Sequence, residues 1–227
     1  MSKLAIRYND QSVLEQHHIA RTFKILRENS ANIFKNLTIQ NVQLIRKYLI
    51  NNILATDMSK HFVYLKDFQQ EFLEGEEKKD ISKLEEKDIN ILTGILTHTS
   101  DFHHSAQVFE ISRQWSVLVN KEFIFRRGKK GIQQTAYLKD LDKMHIYAKN
   151  EAGFIKMIVK PLWETINRFL NSQIQEQVQN LENSIVQWNA LQEQAQIEEE
   201  LNKKKQEENL QKSKQQVNIN VKLKNLV

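Results

Sequence analysis

The chain has 227 residues, enough for one helical domain with a tail or for a piece of a larger domain. It has no cysteine, which excludes a disulfide framework and any thiolate metal site, and its balance of 40 % hydrophobic to 27 % charged residues is that of a globular chain. The net charge of +5 is spread out: its densest run, Arg126-Arg127-Gly128-Lys129-Lys130, is too short for a nucleic-acid surface, and no apolar run nears the ~20 residues that span a bilayer. No nucleic-acid partner and no transmembrane segment are therefore expected. With no export signal in this stretch, the expected location is cytoplasmic.

Five glycines and one proline leave few places to break a helix, and apolar spacings of three and four recur throughout. The fold class is all-α. Ser12 to Arg27 reads as a helix, with Ser12 as N-cap and Glu15 completing a capping box. Further helices are predicted from Ile39 to Thr56 and from Ser59 to Leu73, followed by a charged loop at 74–80. Helix resumes near Glu85 and runs into His98–Asp101; another covers Val108 to Phe125. Residues 126–148, with Gly128 and Gly131, read as loop with short helix. From Asn150 to Phe169 the pattern is helical, with Pro161 as a kink or junction. Ile174, Val178, Leu181, Ile185 and Trp188 then step by four and three, a seam that suits docking on a domain or pairing with a partner helix. Residues 193–216 are rich in Gln, Glu and Lys and read as solvated helix or disorder. The division expected is 1–191 for a partial domain and 192–227 for a charged tail.

Three patches concentrate chemistry. The run from Tyr8 to His18 crowds titratable groups onto a helix start, where a His pair serves as cap or core imidazole more often than as ligand. Ala55-Thr56-Asp57-Met58-Ser59-Lys60-His61 reads as one helix end and the start of the next. His98 and Asp101, three apart with His103 and His104 beside them, make a metal site conceivable.

Taken in order, the segments Tyr8-Asn9-Asp10-x-Ser12-Val13-Leu14-Glu15-x-His17-His18, Ala55-Thr56-Asp57-Met58-Ser59-Lys60-His61, His98-x-x-Asp101, Arg113-Gln114-Trp115, Gly153-Phe154-Ile155 and Pro161-Leu162-Trp163-Glu164 resemble class I cyclic nucleotide phosphodiesterases. The likeness covers residues 2 to about 170. It implies an all-helical domain that holds two divalent cations, zinc and magnesium, and hydrolyses cyclic AMP or cyclic GMP to the 5′-monophosphate by attack of a metal-activated hydroxide. Carried over position by position, Asp101 matches a metal ligand, and Glu15 and Thr56 match groups that hold metal-bound water. Phe154, Val119 and Met58 match walls of the nucleotide pocket.

Two departures bear on that pocket. Glu151 stands where the family reads the purine edge with glutamine, and His104 stands where it has asparagine. An ionised glutamate only accepts hydrogen bonds, which suits guanine N1–H better than adenine N1; drift of an unused pocket is the competing reading.

The family's His-Asn-x-x-His and His-Asp-x-Asp-His motifs have no counterpart in these 227 residues. The domain is thus expected to be incomplete at its N-terminal side, to lack turnover by itself, and to expose apolar surface. A non-catalytic protein that keeps the scaffold and binds helical partners through its C-terminal region is the alternative.

Overall fold

The computed structural model describes residues 2–74, 79–130 and 143–224, and every regular element among them is a helix. α1 (Lys3–Arg7) is capped by Ser2, whose hydroxyl accepts from the Ala5 N–H at 3.1 Å. Three left-handed residues, Asn9, Asp10 and Ser12 (φ 53°, 59° and 41°), then turn the chain into α2 (Val13–Leu26). The capping box expected of Ser12 and Glu15 does not form, because the Ser12 hydroxyl is used elsewhere.

α3 (Ile39–Ala55) starts at Thr38, which accepts from the Asn41 N–H, and a 3-10 turn (Met58–Lys60) leads to α4 (His61–Phe72). α5 (Glu86–Asp101) opens with a reciprocal cap between Glu85 and Asp88. A second 3-10 turn, His103–Ala106, leads to α6 (Phe109–Lys130), with α7 (Met144–Phe154) beyond it. A π-helical stretch, Ile155–Val159, separates α7 from α8 (Lys160–Phe169), and α9 (Gln175–Lys224) ends the described chain.

The helices differ from the sequence expectation at two places. α6 continues five residues past Phe125 and through Gly128, a residue that costs a helix only about 1 kcal/mol. α7 begins at Met144, six residues before the expected start; the remainder of the expected loop, 131–142, lies outside the described residues. Residues 193–216, open to two readings, are helical within α9. Pro161 sits in the first turn of α8, directly after the π turn, where a missing N–H is tolerated.

The chain divides into two compact units, Met1–Gln107 with Ile158–Asn180, and Val108–Met157 with Leu181–Val227. In the first, Phe68 stacks on Phe72 with centroids 5.1 Å apart, and Phe169 of α8 meets both rings edge-on. α3 and α5 approach closely at Gly94, where an added Cβ would meet Ala55 Cβ and Asn51 Nδ2 at 3.4 Å. Polar groups on this seam pair across it: Asn51 Nδ2 donates to the Asn90 carbonyl, and the Thr93 hydroxyl to Asn52 Oδ1, both at 2.9 Å. Ile6, Phe62 and Val63 are mostly solvent-exposed on the same unit.

The second unit is built around Trp188, which is fully buried between the edges of Phe109 and Tyr147, each with its ring centroid 5.2 Å away. The C-terminal seam thus docks on its own domain at Leu181, Ser184 and Trp188. Further along, Glu199 binds His145 Nδ1 at 2.9 Å and Lys203 at 2.8 Å, tying α9 to the start of α7.

Candidate active site

The first unit joins the two leading patches through one carboxylate. Asp57 Oδ2 accepts from the Ser12 hydroxyl at 2.6 Å, across 45 residues of chain; Oδ1 accepts from the Ser59 N–H at 2.9 Å and the Ser59 hydroxyl at 2.7 Å. Burial would raise the pKa of Asp57, but these three donors and Lys60 outweigh it and hold the carboxyl below its ordinary value. Asp57 therefore fixes the left-handed turn ahead of α2 against the cap of the 3-10 turn. Glu15, in the first turn of α2, and Thr56, at the end of α3, flank that tie. The Thr56 hydroxyl donates to the Ile53 carbonyl at 2.9 Å, leaving its lone pairs for other donors. Met58 is exposed on the turn that follows.

Asp101 is the last residue of α5 and is exposed. Its histidine neighbours are committed elsewhere. His98 and His61 are buried, and His98 Nε2 lies 2.8 Å from His61 Nδ1, so one imidazole donates to the other. Burial holds both rings below the ordinary histidine value, His61 down to about 4 with His98 adding repulsion. His103 Nδ1 donates to the Ser100 carbonyl at 3.1 Å. His104 is half-buried and bonded to the Asp101 backbone; burial, then the His103 charge, hold it down.

The expectation that His98 and Asp101 share a ligating face fails for this reason: His98 turns inward to His61. Among the described residues no group of three His, Cys, Asp or Glu converges to hold a metal ion. The two cations implied by the resemblance thus find one free-standing carboxylate here, which does not fit a two-metal site.

The second unit holds the other pocket candidates. Val119 and Phe154 are half-buried, on α6 and at the end of α7. Glu151, on α7, is pushed up by burial and partly brought down by a hydrogen bond with Ser116 of α6. The Ser116 hydroxyl is also in very short contact with the Tyr147 hydroxyl, whose pKa burial pushes up to about 12. A buried hydroxyl pair therefore backs the Glu151 carboxyl.

Sequence reasoning missed Asp57, Ser116 and Tyr147. For Asp57 a signal existed, since Asp-x-Ser ahead of a helix is a capping pattern. Ser116 showed only as one of two serines, with Ser112, four apart on one helix face.

Comparison with known proteins agrees with this arrangement of helices. The family model described as 3′5′-cyclic nucleotide phosphodiesterase matches residues 1–181. The chain is 33 % identical over 192 residues to the mouse (Mus musculus) 3′,5′-cyclic-AMP phosphodiesterase 4C, covering 81 % of this chain and 27 % of that protein. It is 32 % identical over 176 residues to the bovine (Bos taurus) dual specificity calcium/calmodulin-dependent 3′,5′-cyclic nucleotide phosphodiesterase 1B, covering 77 % of this chain and 31 % of that one. The phosphodiesterase domain of the Salpingoeca rosetta rhodopsin phosphodiesterase superposes with a TM-score of 0.78 at 28 % identity, over 88 % of this chain and 61 % of the solved one. The chain belongs to the 3′,5′-cyclic nucleotide phosphodiesterase family. It spans under a third of these curated relatives and about three fifths of the solved domain. No helix among the described residues is long and apolar enough to cross a membrane.

Proposed function

We propose that the chain is the nucleotide-binding part of a metal-dependent phosphodiesterase that opens 3′,5′-cyclic AMP or cyclic GMP to the 5′-monophosphate, and that these 227 residues alone do not turn over. Family membership supports the first half. The second half is carried by the commitment of His98, His103 and His104 to other partners, which leaves Asp101 alone. The family's zinc and magnesium, when held, supply the nucleophile and charge stabilisation. This chain's share is one carboxylate, Asp101, with Glu15 and Thr56 placed to orient water and Met58, Val119, Phe154 and His104 to line the nucleotide.

Glu151 sets the base preference in this reading. As a carboxylate it accepts only, favouring the guanine edge; protonated, as its burial encourages, it donates as well and tolerates adenine. Selectivity for cyclic GMP should therefore grow with pH.

The test is to assay zinc content and hydrolysis of both nucleotides for the chain alone and for the chain joined to the His-Asn-x-x-His and His-Asp-x-Asp-His segment of a relative. Metal and turnover only in the joined form are expected. Turnover by the chain alone would overturn the second half of the proposal; a joined form that folds, binds zinc and still does nothing would overturn the first and favour a non-catalytic binding role.

A further inference from the structure

On α7, Tyr147 and Glu151 stand one turn apart on one face, and Ser116 of α6 meets both. The Ser116 hydroxyl is in contact with the Tyr147 hydroxyl and hydrogen-bonded with the Glu151 carboxyl, for which it is the one hydrogen-bond partner among the described residues. Ser116 and Tyr147 are each 5 % exposed, so bulk water does not complete their bonds. Counting protons fixes the direction of the chain. A hydroxyl donates once and an ionised carboxylate only accepts, so Ser116 donates to Glu151 and accepts from Tyr147, whose phenol burial keeps protonated with its pKa pushed up to about 12. Helical hydroxyls with no such claim on them, at Thr97, Thr99 and Ser100 of α5, donate to the carbonyl one turn back. Ser116 is held toward α7 instead.

We infer that, where Glu151 reads the base as proposed, Tyr147 is a positioning residue for that recognition: through Ser116 it ties one oxygen of Glu151 and leaves the other to the purine edge. Without the Tyr147 hydroxyl, Ser116 is free to turn to the Ser112 carbonyl, and Glu151 loses its donor. The carboxyl then titrates higher, and the pH at which cyclic GMP becomes the preferred nucleotide climbs with it. A tyrosine that only packs acts through its ring, and Tyr147→Phe keeps that ring at the edge of Trp188. The other charge that acts on Tyr147 is Arg113 of α6, and α9 meets the cluster with the uncharged Trp188, so neither substitution at 116 or 147 removes a charge.

The test follows the Glu151 carboxyl by carbon NMR titration of the whole chain, with Glu151→Gln to assign its resonance, in the parent and in Tyr147→Phe, Ser116→Ala and Ser116→Thr. Ser116→Ala should raise the midpoint by about one pH unit, the worth of one hydrogen bond to a charged group, and Tyr147→Phe by about half as much. Ser116→Thr keeps the hydroxyl and should keep the parent midpoint. In the chain joined to the metal-binding segment, the pH at which cyclic GMP selectivity sets in should move by the same amounts. A midpoint that stays or falls in Tyr147→Phe overturns the inference and leaves the reading of Glu151 standing, with Tyr147 a packing residue. A midpoint that rises while nucleotide selectivity stays fixed overturns the reading of Glu151, and with it any part of Tyr147 in recognition.

Discussion

The two units handle half-buried acid groups in opposite ways. In the first, Asp57 collects three donors from Ser12 and Ser59 and is held low, so it is an ionised fastener between segments 45 residues apart. In the second, Glu151 shares a single serine hydroxyl with Tyr147 and is pushed up, so it is an acid kept short of partners. A carboxylate with saturated lone pairs does structural work, whereas one left under-satisfied is available to a ligand. On this criterion Asp57 is scaffold, though it lies inside one of the segments that resemble the family, and Glu151 is the carboxyl that the proposed function assigns to the base.

The largest effect should come from the imidazole pair that shares the first unit with Asp57. The unfolded chain takes up protons on His61 near pH 6.5, the folded chain only near pH 4. Stability is therefore complete above about pH 6.5 and falls as the pH drops through that window, by about 3 kcal/mol below pH 4. Urea unfolding of the chain at pH 7 and pH 4.5, compared with His61→Gln, isolates this: the variant is weaker at pH 7 but loses distinctly less on acidification. Parallel pH dependence in the two proteins would show that the pair is not the source. Next in size, Asp57→Ala should cost about 2 kcal/mol at pH 7, because it strands a half-buried serine hydroxyl and removes a cap. The depressed carboxyl of Asp57 contributes only above the unfolded value near 3.8, so that penalty should shrink as the pH falls below it.

These contrasts also mark what the sequence made legible. The all-helical class, the order of helices and the junction at Pro161 follow from periodicity and from the scarcity of glycine and proline. The Ile174–Trp188 seam was readable as a docking stripe: Val178, Leu181 and Trp188 are buried and Ile174 and Ile185 half-buried, whereas the buried Ser184 had no signal in the apolar spacing. Ser12 was misread because a capping box is a local pattern, and a partner 45 residues away outcompetes it. Spacing along α5 made a site at His98 and Asp101 conceivable, but it says nothing about His61 on α4, to which His98 turns. The extension of α6 through Gly128 reflects helix propagation over a weak position, which single-residue propensity underrates.

The smallest predicted effect has the opposite sign and separates the two carboxylates most directly. Glu151→Gln keeps the shape and the bond to Ser116 but removes the charge that burial opposes. A raised folded value means that the proton on Glu151 stabilises the fold at low pH, and that this contribution is lost as the pH rises through the folded value. The variant escapes that loss, so it should be about 1 kcal/mol more stable than the parent at pH 8 and nearly equal to it at pH 4. Urea midpoints at the two pH values measure the difference. In the joined, active form the same substitution should also flatten the rise of cyclic GMP selectivity with pH, since a glutamine amide donates and accepts at every pH. A stability gain without that flattening would make Glu151 a strained core acid and move base recognition to other residues of the pocket; a loss of stability at pH 8 would mean that the carboxylate is better satisfied than its single serine partner implies.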